Sequence, residues 1–335
     1  MIDHNIFVNK IIDWYLIHKR DLPWRHTTDP YLIWLSEIIL QQTRVNQGLP
    51  YYLKFVETYA TISDFADAPI DEILRIWQGL GYYSRARNMH FTANEIKNKH
   101  NGVFPSDYDT LIKLKGIGKY TASAISSFSI NENKAVVDGN VYRVLSRFWG
   151  ISEPINTTEG IKKFDILANE IINYSSNKAV YNQAIMEFGA LHCKPQNPLC
   201  EHCELASSCY AYLNNETDKL PVKLNKVKIV HRNIFYRVYQ FDHKIAFKKR
   251  STQDIWLGLY DFFEVENNEN ELDIIYSVKH KLSHQNLTIS FSIVQIKNPS
   301  EISLEFFSKS ESDGLPKPVV VKNFIEKFSK ELFGN

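Results

Sequence analysis

All four cysteines of this 335-residue chain lie between Cys193 and Cys209. Their spacing, C-x6-C-x2-C-x5-C, brings four thiols into 17 residues. A disulfide framework would distribute cysteines through a small secreted domain, so the clustering points to a metal centre. Cys193, Cys200, Cys203 and Cys209 can enclose one tetrahedral centre, either zinc or an iron–sulfur cluster. Zinc ribbons prefer two short pairs, and only Cys200 and Cys203 form one here. With four protein ligands no coordination position is left open, so the centre reads as structural or as shaping a loop.

The chain before this loop reads as all-α. Ile6, Phe7, Ile11, Trp14, Tyr15 and Leu16 fall roughly on one helical face. Asp29 and Pro30 form an N-cap followed by proline at the first helical position, opening a helix expected to reach about Arg44. Further helical segments are predicted over 49–58, 70–78, 84–99, 107–113, 119–129, 140–149, 160–173 and 178–191. Near Leu220 the texture changes to β-branched and aromatic runs, KVKIVH, NIFYRVYQFD, KIAFKKR and LTISFSIVQI, separated by polar turns, one of them the short loop NNENE at 267–271. Helical spacing returns over Lys322–Phe333. The expected organisation is a helical domain over 1–218, a linker over 219–228 and an α+β domain over 229–335.

Hydrophobic residues make up 44% of the chain and charged residues 23%, the balance of an ordinary globular protein. No apolar run approaches a membrane span, and the N-terminus lacks a signal-peptide layout, so a cytoplasmic protein without a membrane partner is expected. Net charge is only +1, with 21 basic against 24 acidic residues through Asp218 and 18 against 14 after it. Nucleic-acid binding, if present, must therefore come from a local patch.

One such patch is LKGIGKYTA, Leu114–Ala122. Gly116 and Gly118 can adopt conformations closed to other residues, letting a turn aim its N–H groups outward. At the start of the next helix those groups suit a DNA phosphate, with Lys115 and Lys119 alongside.

Two carboxylates suit hydrolysis of a glycosidic bond, which needs an acid for the leaving group and an anion for the cationic sugar. Glu37 has Ile33, Trp34, Leu40 and Gln41 as helical neighbours. Desolvation in that setting keeps it protonated and able to act as a general acid. Asp138 precedes a helix, where it can act as N-cap and where the helix dipole favours its charged form. One carboxyl pushed towards neutrality and one towards charge would divide the two roles.

Together these segments resemble the MutY-type adenine DNA glycosylases of the endonuclease III, or helix-hairpin-helix, superfamily. The resemblance is carried by LPWR, DPY..W.SEIILQQTRV, WQGLGYYSRARN, LKGIGKYTA, VVDGNVYRVLSR, YNQAIMEFGALHC and the cysteine loop. It implies an all-α helix-hairpin-helix glycosylase domain with a [4Fe–4S] loop, followed by a Nudix-like α+β domain. It further implies a base-excision repair enzyme that flips adenine out of A:8-oxoguanine or A:G mispairs in double-stranded DNA and hydrolyses its glycosidic bond. Glu37 is then the general acid, Asp138 the stabilising carboxylate, and Tyr120 and Asn140 supporting catalytic residues. Endonuclease III relatives carry a lysine at position 120, which forms a Schiff base and gives lyase activity; tyrosine cannot, so the enzyme is expected to be monofunctional. Trp24, Arg25 and Gln183 are implied to line the adenine pocket, with a glutamate in some relatives at position 183. Gln42 and Tyr82 are implied to insert into the DNA stack near the oxidised guanine.

In the C-terminal domain, LPVK at 220–223 fits the family linker, and IWLGLYDFF follows the family's G-L-W-E-F-P pattern loosely. Ser283 and His284 match an F-S-H loop except for leucine at 282, and are assigned to the oxidised guanine. No glycine-plus-acidic-helix Nudix box is seen, so Mg²⁺ binding and nucleotide hydrolysis are not expected. Two rivals stand beside this reading. An endonuclease III-like pyrimidine glycosylase/lyase is opposed by Tyr120, and a non-catalytic, metal-stapled DNA-binding module is opposed by Glu37 and Asp138. A monomer is expected because no sequence feature demands a dimer.

Overall fold

The computed structural model describes residues 3–224, 229–252, 254–266, 273–298 and 304–334; the loop at 267–271 and part of the expected linker, 225–228, lie outside these. The chain divides into two compact units, Met1–Ala66 with Phe91–Asn225, and Asp67–His90 with Lys226–Asn335.

Through Asn225 the regular structure is helical: α1 (His4–His18), α2 (Pro30–Ile39), α3 (Val45–Thr58), α4 (Ile62–Asp67), α5 (Ile70–Ile76), α6 (Ser84–Lys99), α7 (Tyr108–Leu111), α8 (Lys119–Ile130), α9 (Gly139–Trp149), α10 (Thr158–Ile171), α11 (Lys178–Leu191) and α12 (Tyr210–Leu213). Short polar side chains begin many of them. Asp29 caps α2 by accepting from the Tyr31 N–H at 2.8 Å, with Pro30 in the first turn. Thr157 caps α10 and Asn177 caps α11 in the same way.

Helix α2 ends at Ile39, short of the expected Arg44. The Gln41 N–H turns back to Ile38 O, and Gln42 takes a left-handed φ of 56°, so the α-helix cannot continue.

The core of this unit packs Phe7, Ile11 and Tyr15 of α1 against Val141, Leu145 and Phe148 of α9, Phe164 of α10, and Tyr181, Ile185 and Phe188 of α11. Cys193, Cys203 and Cys209 rest against the same cluster. Helices α9 and α11 approach closely at Gly189. A Cβ added there would lie 2.7 Å from Asn140 Cβ and 3.0 Å from Asn140 O.

The second unit is built on a mixed sheet in the order β6–β7–β1–β2–β8, with β5 also paired to β1. The strands are β1 (Val230–Phe241), β2 (Lys244–Ala246), β3 (Lys248–Lys249), β4 (Tyr260–Asp261), β5 (Phe263–Val265), β6 (Tyr276–Lys281), β7 (Gln285–Gln295) and β8 (Phe306–Phe307). β1 and β7 run parallel from Val230 opposite Gln285 to Gln240 opposite Gln295. Ile234, Tyr236, Val238 and Gln240 alternate inward along β1, as a sheet with one covered face requires. β3 and β4 form a separate pair.

Helices α13 (Lys309–Gly314), α14 (Val319–Lys327) and α15 (Ser329–Phe333) follow. α14 stacks Phe324 on Phe291 of β7 with centroids 4.1 Å apart and planes 8° from parallel. The expected terminal helix over 322–333 starts earlier and breaks at Phe328.

The segment Asp67–His90, which sequence reasoning assigns to the helical domain, clusters with the strands instead. Lys249 Nζ lies 2.7 Å from Asp71 Oδ1, and Arg87 donates to Leu257 O at 2.6 Å. Among the described residues no helix is long and apolar enough to cross a membrane.

Gly189→Ala should force α9 and α11 apart. The expected loss, read from the urea-unfolding midpoint, is about 1–3 kcal/mol. An unchanged midpoint would show that the interface yields freely.

Candidate active site

Asp138 opens α9 with extended backbone (φ −104°, ψ −175°), which turns its carboxylate onto the first helical turn. Its Oδ1 accepts from the Asn140 and Val141 N–H groups, each at 2.8 Å, and Oδ2 accepts from Asn140 Nδ2 at 2.7 Å. Asn140 Oδ1 in turn accepts from Arg143 at 2.9 Å. Burial pushes the Asp138 pKa up from the usual carboxylate range, while these bonds and the Arg143 charge draw it back. The helix position expected to favour its anion meets a larger opposing effect, since desolvation raises the pKa and the hydrogen bonds only draw it back.

Glu37 stands near the end of α2, where every residue from Ile33 to Ile39 is buried, and is itself 8% exposed. One hydroxyl addresses it: Tyr120 of α8 donates to Oε2 at 2.7 Å. Burial pushes its pKa up to about 7. The Tyr120 bond and the Arg25 charge pull it down, and the Asp138 charge pushes it further up. Tyr120 is itself raised, by burial and by the Glu37 and Asp138 charges, so it stays a neutral donor.

Both carboxyls line one cavity of about 630 Å³, and Trp24, Arg25, Tyr120, Asn140 and Gln183 line it with them. Trp24 belongs to the short turn Pro23–Arg25 and meets the Tyr52 ring edge-on at 5.1 Å. The Gln183 Oε1 accepts from Tyr15 at 2.8 Å.

Sequence reasoning missed the ionic partner on the same wall. Glu187 accepts from Arg25 at 2.8 Å and from Arg20 at 2.6 Å. Burial raises its pKa, but the bonds from the two arginines outweigh it and hold the carboxyl at about 2. The signal was present, because Glu187 follows Gln183 by four residues on α11 and so shares its face.

A second cavity, of about 620 Å³, lies in the unit of Asp67–His90 and the strands, and Tyr82, Ser283 and His284 all line it. Tyr82 is 48% exposed with a left-handed φ of 47°. Ser283 and His284 sit in the tight connection from β6 to β7, closed by the Leu282 N–H donating to Gln285 O at 2.8 Å. Gln42 lines neither cavity and stands exposed on the turn after α2.

The glycine hairpin joins α7 to α8. Gly116 has φ 80°, a conformation that favours glycine. Gly118 does not: its φ of −91° is open to any residue, and a Cβ there would meet nothing within 4 Å. The expectation of a special backbone at Gly118 is corrected; its bare Cα leaves space before the first turn of α8, which no side chain caps. Lys119 pairs with Asp165 at 2.6 Å while remaining 58% exposed.

The four cysteines border one small cavity beneath α9, together with Arg147 and His192. Arg147 is 3% exposed and donates to Cys193 Sγ at 3.5 Å, Lys194 O at 2.7 Å and Leu220 O at 3.0 Å. Burial and the neighbouring thiols raise the pKa of Cys200 and Cys209, and burial pushes Cys203 up to about 11.

The family model described as HhH-GPD superfamily base excision DNA repair protein matches residues 35–166. An adenine DNA glycosylase of Buchnera aphidicola subsp. Baizongia pistaciae is 37% identical, covering 97% of this chain and 98% of its own length. An adenine DNA glycosylase of Mus musculus is 38% identical over 63% of this chain and 42% of its own length. Among solved structures, a thermostable thymine-DNA glycosylase is 31% identical with a TM-score of 0.58, covering 63% of this chain and 97% of that one. Endonuclease III in a non-covalent DNA complex shares the fold, at 21% identity and a TM-score of 0.54, over 65% of this chain and 98% of its own.

Glu37 binds its proton more tightly folded, at about 7, than at its ordinary 4.5. Its contribution to stability is therefore full below pH 4.5 and is lost as pH rises through 7. Glu37→Gln should match wild type near pH 4 and exceed it by about 1–3 kcal/mol at pH 8 in chemical unfolding. Equal stabilities at both pH values would refute the buried-acid assignment.

Proposed function

This chain belongs to the adenine DNA glycosylases, base-excision repair enzymes of the HhH-GPD superfamily. From that premise we propose that it hydrolyses the glycosidic bond of adenine mispaired with 8-oxoguanine or guanine, taking the flipped base into the cavity of Glu37 and Asp138. The observation that carries this reading is a pair of carboxyls on one cavity, Glu37 buried with a pKa near 7 and Asp138 half-buried and wrapped in donors.

Glu37 is half protonated near neutrality and donates its proton to the departing adenine. Tyr120 occupies Oε2, which leaves Oε1 to face the base. As the bond between sugar and base breaks, its electron pair leaves with adenine and positive charge develops on the sugar. Asp138, its oxygens held by Asn140 and the first turn of α9, offers fixed negative charge to that cation. Water adds at the vacated carbon and its proton passes to solvent, leaving free adenine and an abasic site. Tyr120 carries no amine, so no Schiff base forms and the strand is left uncut. Trp24, Arg25 and Gln183 hold the base, with Arg25 anchored by Glu187. Gly116, Gly118 and Lys119 bind a backbone phosphate at the open start of α8. Gln42 and Tyr82 enter the stack, and their left-handed backbones mark both as turn-tip residues.

The cysteine loop fits a [4Fe–4S] cluster. Four thiols border one cavity, which is the donor set such a cluster takes. Cys193, Cys200, Cys203 and Cys209 would hold the cluster, which would supply a structural tie between Cys193 and the 200–209 loop. The strand-rich unit, a mixed sheet covered by α14, supports the Nudix-like assignment, with Ser283 and His284 facing the oxidised guanine. A monomer is the proposed state.

Wild type should release adenine from A:8-oxoguanine duplexes, with a rate that falls as pH rises through about 7. Glu37→Gln should lower single-turnover release at least about a hundredfold while DNA binding persists. Release undiminished in the variant would remove Glu37 from the chemistry. Borohydride should trap no adduct through residue 120; a strong one would restore the glycosylase/lyase reading.

Cys200→Ser should lose the visible iron–sulfide absorption together with about half or more of the iron bound by wild type. Stoichiometric zinc in the purified wild type, with no iron, would overturn the cluster assignment.

A further inference from the structure

Trp256 has φ 63°, a left-handed conformation that is a marked outlier for a bulky side chain. Such a conformation persists only where its surroundings over-determine it. The turn around Trp256 is held at several points. Asp254 accepts from Arg232 at 2.6 Å, and its other oxygen accepts from the Ile255 N–H at 2.7 Å. Arg250 donates from its N–H to Leu259 O, and accepts on its own carbonyl from Gly258, each at 2.9 Å. Leu257 O accepts from Arg87. Behind the turn, the Arg250 guanidinium is itself fixed by Asp261 and by Glu264 at 2.8 Å, with Tyr236 donating to Asp261 at 2.8 Å.

This clamp directs the indole to the cavity that Tyr82, Ser283 and His284 also line. Trp256 is 9% exposed, with the Arg250 guanidinium 5.8 Å from the centre of its ring. It also stands 6.0 Å from the ring of His280, the penultimate residue of β6, two residues before the Leu282–His284 connection begins. A rigid aromatic wall therefore braces the strand from which the guanine-reading loop departs.

We propose that Trp256 is a positioning residue for recognition of the oxidised guanine, its clamped indole setting the hairpin that carries Ser283. The inference rests on the reading of Ser283 given above and extends it to the device that holds Ser283 in place. A bulky residue held at left-handed φ costs energy, and the inference assigns that cost to selectivity.

The test compares single-turnover adenine release from A:8-oxoguanine and A:G duplexes for wild type, Trp256→Phe, Trp256→Ala, Ser283→Ala and the double alanine variant. Trp256→Ala should lower the ratio of the two rates about tenfold by slowing A:8-oxoguanine, leaving A:G within about twofold. Trp256→Phe should recover most of the ratio, and Trp256→Ala should add little once Ser283 is already alanine. If Trp256→Ala melts early, Trp256→Leu, which keeps apolar volume without a ring, carries the comparison. A ratio kept at the wild-type value in a folded ringless variant overturns the inference, as does a parallel fall on both duplexes. Loss of preference in Ser283→Ala but not in the Trp256 variants overturns it alone. A wild type without preference, or a Ser283→Ala that keeps it, overturns the reading of Ser283 beneath it.

Discussion

The close approach of α9 to α11 at Gly189 organises the helical unit. Because a hydrogen replaces a side chain there, the first turn of α9 lies directly against α11. That contact fixes Asn140, and through Asn140 the orientation of Asp138. Further along α9, Arg143 donates to Gly189 O and Cys193 O, each at 2.7 Å, and Arg147 reaches the backbone of Lys194. One helix thus presents its N-terminus to the cavity lined by Glu37 and Asp138 and its arginines to the cysteine loop. The loop gains its shape from buried guanidinium donors as well as from any cluster it holds.

Electrostatic roles in the cavity follow from unequal compensation of a shared desolvation. Glu37, Asp138 and Glu187 are all taken largely out of water. Glu37 receives one hydroxyl bond and rises to about 7. Asp138 receives three bonds from neutral groups and is drawn back part of the way. Glu187 receives two guanidinium groups and falls to about 2. The number and charge of the donors separate three carboxyls that burial alone would push in the same direction.

Much of the site is legible in the chain because its determinants are local. The apolar residues around Glu37 on one helix announce its desolvation, and the position of Asp138 before a helix announces the cap. The end of α2 was less legible: nothing in the run to Arg44 is a strong breaker, and the turn depends on Gln42 accepting a left-handed backbone. Gly118 shows the opposite error, a glycine whose backbone needs no glycine. Asp67–His90 reads as ordinary helix, and only the partners Lys249–Asp71 and Arg87–Leu257 reveal which unit it joins.

By itself the sequence determined the helical character of the first unit, the change to strands near Leu220, the cysteine spacing and the caps, since each depends on residues a few positions apart. Only the tertiary structure decided that the Tyr120 hydroxyl, 83 residues away, meets Glu37, that two arginines neutralise Glu187, and that Trp256 faces the cavity of Ser283. Those facts depend on burial and on convergence of distant segments. A pKa or a strained dihedral is set by what surrounds a group in space, and linear order does not encode that directly.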